Sequence, residues 1–125
     1  ETSPAGAWEA GVDGALPGII LLADPKPGDC VQQEYYEGEA EDRGKVLRNN
    51  ASVSIEYGGF EDCLETKEWT KLDPGNVEHK YYAQDNFGFG LGLVYIEELK
   101  EKTVEVELVE FYTGSAPELD NPTCP

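Results

Sequence analysis

The chain has no methionine, one histidine, nine Lys and Arg together, and three cysteines in 125 residues. Each shortage excludes something. A translated chain starts with Met, and this one starts at Glu1, so a chain cut by processing or by design is expected. One histidine leaves no His–His or Cys–His set for a transition metal, and three cysteines at 30, 63 and 124 match no zinc spacing. With 26 Asp and Glu the formal net charge is −17, which argues against nucleic acid and anionic membranes as partners. It suits cations, basic partners or plain solubility. Long apolar runs are also missing. The longest, Ile19 to Ala23, falls far short of the ~18–20 residues of a membrane span.

What is present favours a folded chain. Seven Tyr, four Phe and two Trp exceed what a disordered acidic sequence carries. The length suits one domain with a modest core. Helix signals are nearly absent; Glu97 to Lys102 holds helix formers but is short and sits between β-like runs, so a hairpin connection is expected there. Val53, Ile55 and Tyr57 alternate with Ser52, Ser54 and Glu56. Val104, Val106 and Leu108 likewise alternate with Glu105 and Glu107.

The predicted strands are Cys30–Glu37, Glu39–Arg48, Ala51–Tyr57, Glu61–Leu72, Val77–Ala83, Leu91–Glu98 and Thr103–Tyr112. Turns are expected at Gly58-Gly59 and at Asp73-Pro74-Gly75-Asn76. The expected fold is all-β: an antiparallel meander curled into a half-barrel or sandwich over residues 30–112. An extended arm (1–29) with one short strand near Gly18–Ala23 precedes it, and a Pro-rich tail (113–125) follows.

Three cysteines leave one thiol over. Cys63 lies in an apparent strand, where a free thiol behaves as a small hydrophobe. Cys30–Cys124 is the expected disulfide, worth up to ~4–5 kcal/mol for so long a loop; Cys30–Cys63 is the alternative.

Several blocks carry a resemblance. They are Trp8 to Ala15, Pro17-Gly18-Ile19-Ile20, Gln33-Glu34-Tyr35-Tyr36 and Gly38 to Asp42. Lys67-Glu68-Trp69-Thr70, Leu72 with Pro74-Gly75, Glu78 to Ala83 and Gly90 to Val94 continue the series. In order and spacing the chain resembles a family of secreted bacterial and archaeal proteins that has no assigned activity. The resemblance covers roughly residues 8–110 and implies location and architecture. Relatives continue upstream of Trp8 with an aromatic segment like an extra hairpin. Its loss would open a sheet edge, and the missing segment of the precursor would be one candidate partner. Gln84 to Phe89 lengthens a loop that is short in relatives, and Phe87 and Phe89, with Asn86, form an expected contact surface. Cys30 and the Cys124 tail also depart from the family pattern.

Three groups of residues are candidates for chemistry. Glu37, Glu39, Glu41 and Asp42 form the densest carboxylate run, and Glu39 and Glu41 in a strand would share a face about 7 Å apart. This is the candidate calcium site, although no Asp-x-Asp-x-Asp-Gly loop is present. His79 is read as a strand residue with a hydrogen-bond partner. Tyr35, Tyr36, Trp69, Tyr81 and Tyr82 could line a ligand pocket, though aromatics in strands more often form cross-strand pairs. No nucleophile elbow, Cys–His pair or phosphate loop occurs.

The expected function is therefore a non-catalytic module, extracellular or in the cell envelope, that binds another polypeptide or self-assembles. It would have no cofactor. A calcium- or small-ligand-binding β-barrel-like protein is the alternative, and an acidic secreted hydrolase the third reading.

Overall fold

The computed structural model describes residues 8–84 and 90–110. Six strands form one antiparallel sheet in sequence order: β1 Cys30–Gln32, β2 Asp42–Ser54, β3 Gly59–Thr70, β4 Asp73–Gln84, β5 Gly90–Glu98 and β6 Thr103–Glu107. The described residues contain no helix, so none is long and apolar enough to cross a membrane. The expected antiparallel meander is present as a curled sheet that does not close into a barrel. Among the described residues no ladder joins β2 to β6. The β2–β3 turn nevertheless curls toward the last strand, and Glu56 donates its backbone N–H to a Glu107 carboxylate oxygen at 2.7 Å.

Local chemistry moved several boundaries. The two segments expected at Glu39–Arg48 and Ala51–Tyr57 are one strand, because register shifts after Val46, Arg48 and Ala51 absorb Asn49-Asn50 without ending the ladder. Asp73-Pro74-Gly75-Asn76 is not the turn. Thr70 pairs with Asp73 across Lys71-Leu72, while Trp69 pairs with Val77, so Pro74-Gly75-Asn76 bulges from the start of β4. Proline is tolerated there because a bulge asks for no ladder donor.

β6 was expected to turn three apolar side chains inward. A bulge at Glu105 breaks that alternation: Val106 lies opposite Ile96 and Val104 opposite Glu97. Both valines are exposed, and β6 is an edge. Leu108 alone of the three joins the core, its N–H donating to the Val94 carbonyl at 2.8 Å.

The main core is small and lies toward the β2–β3 turn. Ala51, Cys63, Ala83 and Val94 are its buried centre, wrapped by Val53, Phe60, Tyr81, Tyr95 and Leu108. Burial raises the Cys63 thiol pKa, with the Asp62 charge adding to the shift, so the neutral thiol is the stable form.

The arm forms no strand at Gly18–Ala23. It lies antiparallel to residues 32–35 through two contacts, Leu16 N–H to the Tyr35 carbonyl (2.8 Å) and Ile19 N–H to the Gln32 carbonyl (2.9 Å). Two glycines allow this. A Cβ on Gly18 would sit 1.8 Å from the Gln33 carbonyl oxygen, and one on Gly44 2.7 Å from Gln33 Nε2. Gln33 thus fills the space Gly44 leaves and donates to Glu68 Oε1 at 2.8 Å and to the Ile20 carbonyl at 3.3 Å. One side chain ties the arm to β3.

Candidate functional site

Directly opposed residues of an antiparallel pair share a face, so the register assigns side chains to two faces. One carries Arg43 opposite Trp69 opposite Val77. Beside this row runs Lys45 opposite Lys67 opposite His79 opposite Glu97. Next comes Arg48 opposite Glu65 opposite Tyr81 opposite Tyr95. The other face carries Gly44, Glu68, Glu78, Glu98 and Thr103 in one row. Val46, Thr66, Lys80, Ile96 and Val106 form the next. We call these the cationic and anionic faces.

On the cationic face, Glu65 is 5% exposed. Its Oε1 accepts from Tyr81 Oη at 2.8 Å and lies 3.4 Å from His79 Nδ1. Its Oε2 is 2.7 Å from Arg48 Nε, close enough for an ion pair but outside hydrogen-bond alignment. Burial, then the hydrogen bond to Glu65, pushes the Tyr81 phenol pKa up, so Tyr81 stays a donor. His79 lies in β4 as expected, but it meets Glu65 at ion-pair distance rather than through an aligned hydrogen bond. The carboxylate is held by three side chains, although its buried Oε2 accepts no hydrogen bond.

On the anionic face a polar groove of 150 Å³ is lined by Asp42, Glu68, Thr70, Asn76, Glu78 and Lys80. Glu68 pairs with Lys80, and Glu78 lies 3.9 Å from the same ammonium. Burial raises the Glu78 pKa; Lys80 opposes the rise, while Glu68, Glu105 and Asp42 add to it. A second, open groove of 350 Å³ adjoins it through Asn76 and Glu78 and continues over Asp73, Glu98, Lys100 and Glu105.

The predicted site residues are dispersed. Of the calcium candidates, Asp42 alone reaches the groove. Glu37 and Glu39 lie in a tight turn closed by Tyr36 and Ala40, where Gly38 takes φ +77°, and Glu41 precedes β2. They do not share a strand face. Among the described residues no group of three or more His, Cys, Asp or Glu is placed to hold a metal ion.

The aromatic candidates do not converge either. Tyr35 and Tyr36 sit on separate bridges outside the main sheet. Tyr81 and Trp69 stand on the cationic face and Tyr82 on the anionic one. Tyr81 packs tilted on Tyr95 with centroids 5.7 Å apart, a cross-strand pair. Cys30 and Cys63 are free thiols, so Cys30–Cys63 does not form. Cys124, and the loop residues Asn86, Phe87 and Phe89, lie outside the described residues.

Sequence reasoning missed Glu65, Arg48, Lys45 and Lys67. It also missed a stretch of open edge. β1 covers β2 from Arg43 to Lys45, and Gly28 and Asp29 bond Val46. From Leu47 to Ser54 no strand lies on the outer side of β2 among the described residues. Comparison with family models, curated proteins and solved structures gives no match.

Proposed function

We propose that the chain is a non-catalytic, extracellular or envelope-located module that binds a polypeptide by receiving its strand on the outer edge of β2. The observation that carries this reading is the edge from Leu47 to Ser54. Proteins guard exposed edges with charge, proline, short length or bulges turned against pairing. β6 is guarded: five residues, two glutamates and a bulge. The β2 segment Leu47-Arg48-Asn49-Asn50-Ala51-Ser52-Val53-Ser54 has no proline, no carboxylate and one charge, in a chain with 26 acidic residues. Three register shifts against β3 fall in or beside this segment, and among the described residues no loop backbone hydrogen-bonds to it. Strand addition at such an edge draws affinity from main-chain hydrogen bonds and specificity from alternate side chains.

The resemblance to secreted proteins supports the location, and the lack of a nucleophile elbow, Cys–His pair or phosphate loop in the sequence supports a non-catalytic role. The test is amide hydrogen exchange over residues 47–54 with a neutral synthetic peptide of alternating threonine and valine. Protection of alternate amides, abolished by Ser52→Lys with Ser54→Lys, is expected. If those amides exchange unchanged at saturating peptide, the edge is not a receptor for strands.

A further inference from the structure

Cations are scarce in this chain, yet four of its nine Lys and Arg, namely Arg43, Lys45, Arg48 and Lys67, stand together on one face of β2 and β3. His79 of β4 continues the row. Lys45 lies directly opposite Lys67, and Lys67 directly opposite His79. Like charges at directly opposed positions destabilise a sheet. In a chain so rich in carboxylates, acidic neighbours were available in quantity. Arg48 uses one, Glu65. Among the described residues Arg43 and Lys45 have no carboxylate within ion-pair distance, and the Lys67 ammonium instead lies 5.4 Å from the centroid of the Trp69 ring. The nearest acid along the row is Glu97, opposite His79. The arrangement costs stability and leaves cations unspent.

We infer that this face binds a linear anionic polysaccharide bearing carboxylates or sulfates, laid across β2, β3 and β4 beside Trp69. The spacing of the cations selects a polymer of low charge density. Neighbouring strands stand about 4.7–4.9 Å apart, and residues two apart along a strand about 7 Å apart. Arg43, Lys45 and Lys67 thus present charges several ångströms from one another in two directions, the scale of one anionic group per sugar. Duplex DNA carries one charge per about 1.7 Å. It would bring many more charges than this face neutralises, against a body of net −17. Guanidinium and ammonium groups pair with carboxylate or sulfate through charge-assisted hydrogen bonds. Trp69, half-buried between Arg43 and Val77, offers apolar ring surface to sugar C–H groups. An acidic polypeptide would pair with the cations without calling on the ring, which Lys67 already contacts through its ammonium. Arg48 belongs to both this face and the open β2 edge, but Arg43, Lys45 and Lys67 lie outside that edge, so the inference does not depend on strand binding.

The experiment is affinity electrophoresis of the full chain through gels containing polygalacturonate at low salt. Unsubstituted dextran, polyglutamate and a single-stranded oligonucleotide serve as the other arms. Retardation by polygalacturonate is expected, weakening as salt rises. Lys45→Glu and Lys67→Gln should each weaken it about tenfold, the loss of one charge-assisted hydrogen bond. Lys100→Glu, which changes net charge as much as Lys45→Glu but lies by the anionic groove, should leave it unchanged. A melting curve on each variant confirms folding, and Arg43→Gln replaces any variant that does not fold. Absence of retardation overturns the inference. Equal weakening by Lys100→Glu overturns it as well, since net charge alone would then govern migration. Retention by polyglutamate or oligonucleotide as strong as by polygalacturonate overturns the polysaccharide class.

Discussion

Glu65 and Glu68 sit three positions apart on β3 and face opposite ways, and the sheet treats them differently. Glu65 is enclosed by a phenol, a guanidinium and an imidazole drawn from β2 and β4. Glu68 is held by the side-chain amide of Gln33, just after β1, and one ammonium from β4, beside a groove that other carboxylates share. The first face keeps surplus cations and buries an acid among them. The second keeps surplus acids and offers them Lys80. A meander with short turns makes this separation simple, because alternation along each strand and direct opposition across strands sort charge by face without any long connection. The lesson is that net charge describes the solution behaviour of this molecule and not the surface a partner meets.

The comparison is broken most severely by detaching the arm, which touches the anionic side through Gln33. Gly18→Val puts side-chain atoms where the Gln33 carbonyl oxygen now stands. The clash is with backbone and cannot be relieved by a rotamer change. A loss of about 2–3 kcal/mol is expected, read from denaturant unfolding. The Ile19 and Leu16 amides should lose hydrogen-exchange protection first.

The adjacent tyrosines offer a smaller and cleaner contrast. Tyr81→Phe removes a donor from buried Glu65 and should cost about 1–2 kcal/mol. Tyr82→Phe removes a hydroxyl from the opposite face, where no hydrogen-bond partner is present among the described residues. It should stay within about 0.5 kcal/mol of the parent. Equal effects in thermal melts would mean that the two faces do not differ in how they hold polar groups.

On the cationic face the expected sign reverses. Lys45→Glu converts a repulsive cross-strand pair with Lys67 into an attractive one and should raise stability by about 0.5 kcal/mol. The same change is expected to weaken polygalacturonate binding. A variant that gains stability as it loses binding would identify the like-charge row as a functional cost rather than an accident of packing.

How much of this was legible in the sequence depends on the range of the interaction. Alternation around Val53 and the connection near Lys100 are local signals, and the meander followed from them, but the β2–β3 turn spans Ile55 to Gly58 rather than Gly58-Gly59, because Gly59 already pairs with Ser54. Asp73-Pro74-Gly75-Asn76 misled because the same dihedral preferences serve a turn and a bulge, and the choice rests on pairing between Thr70 and Asp73. Val104 and Val106 misled because periodicity cannot reveal that a strand is an edge or that Glu105 is the extra residue. Arg43, Lys45 and Lys67 were visible as charges, but their assembly into rows requires the β2–β3 register, which bulges at three places set. Glu65 is the extreme case: its Tyr81 partner is sixteen residues away and its Arg48 partner seventeen, and nothing local distinguishes it from the other glutamates of β3.

Glu78 gives the finest test, through pH. Its folded pKa lies above the ordinary 4.5, chiefly because of burial; Lys80 opposes the rise, and the charges of Glu68, Glu105 and Asp42 add to it. The fold therefore holds this proton more tightly than the unfolded chain does, and the ionised form is penalised. That penalty is fully present above the folded pKa. It fades as pH falls through the folded pKa toward 4.5. Glu78→Gln should raise stability by about 0.5 kcal/mol at neutral pH, the scale of a like-charge cross-strand neighbour removed. The gain should vanish at and below pH 4.5, where the parent carboxyl is itself protonated. A gain independent of pH would trace to packing instead, and a loss at neutral pH would mean that the contact with Lys80 outweighs the crowding of acids. Either result would redraw the anionic face as a set of ion pairs rather than a reservoir of negative charge.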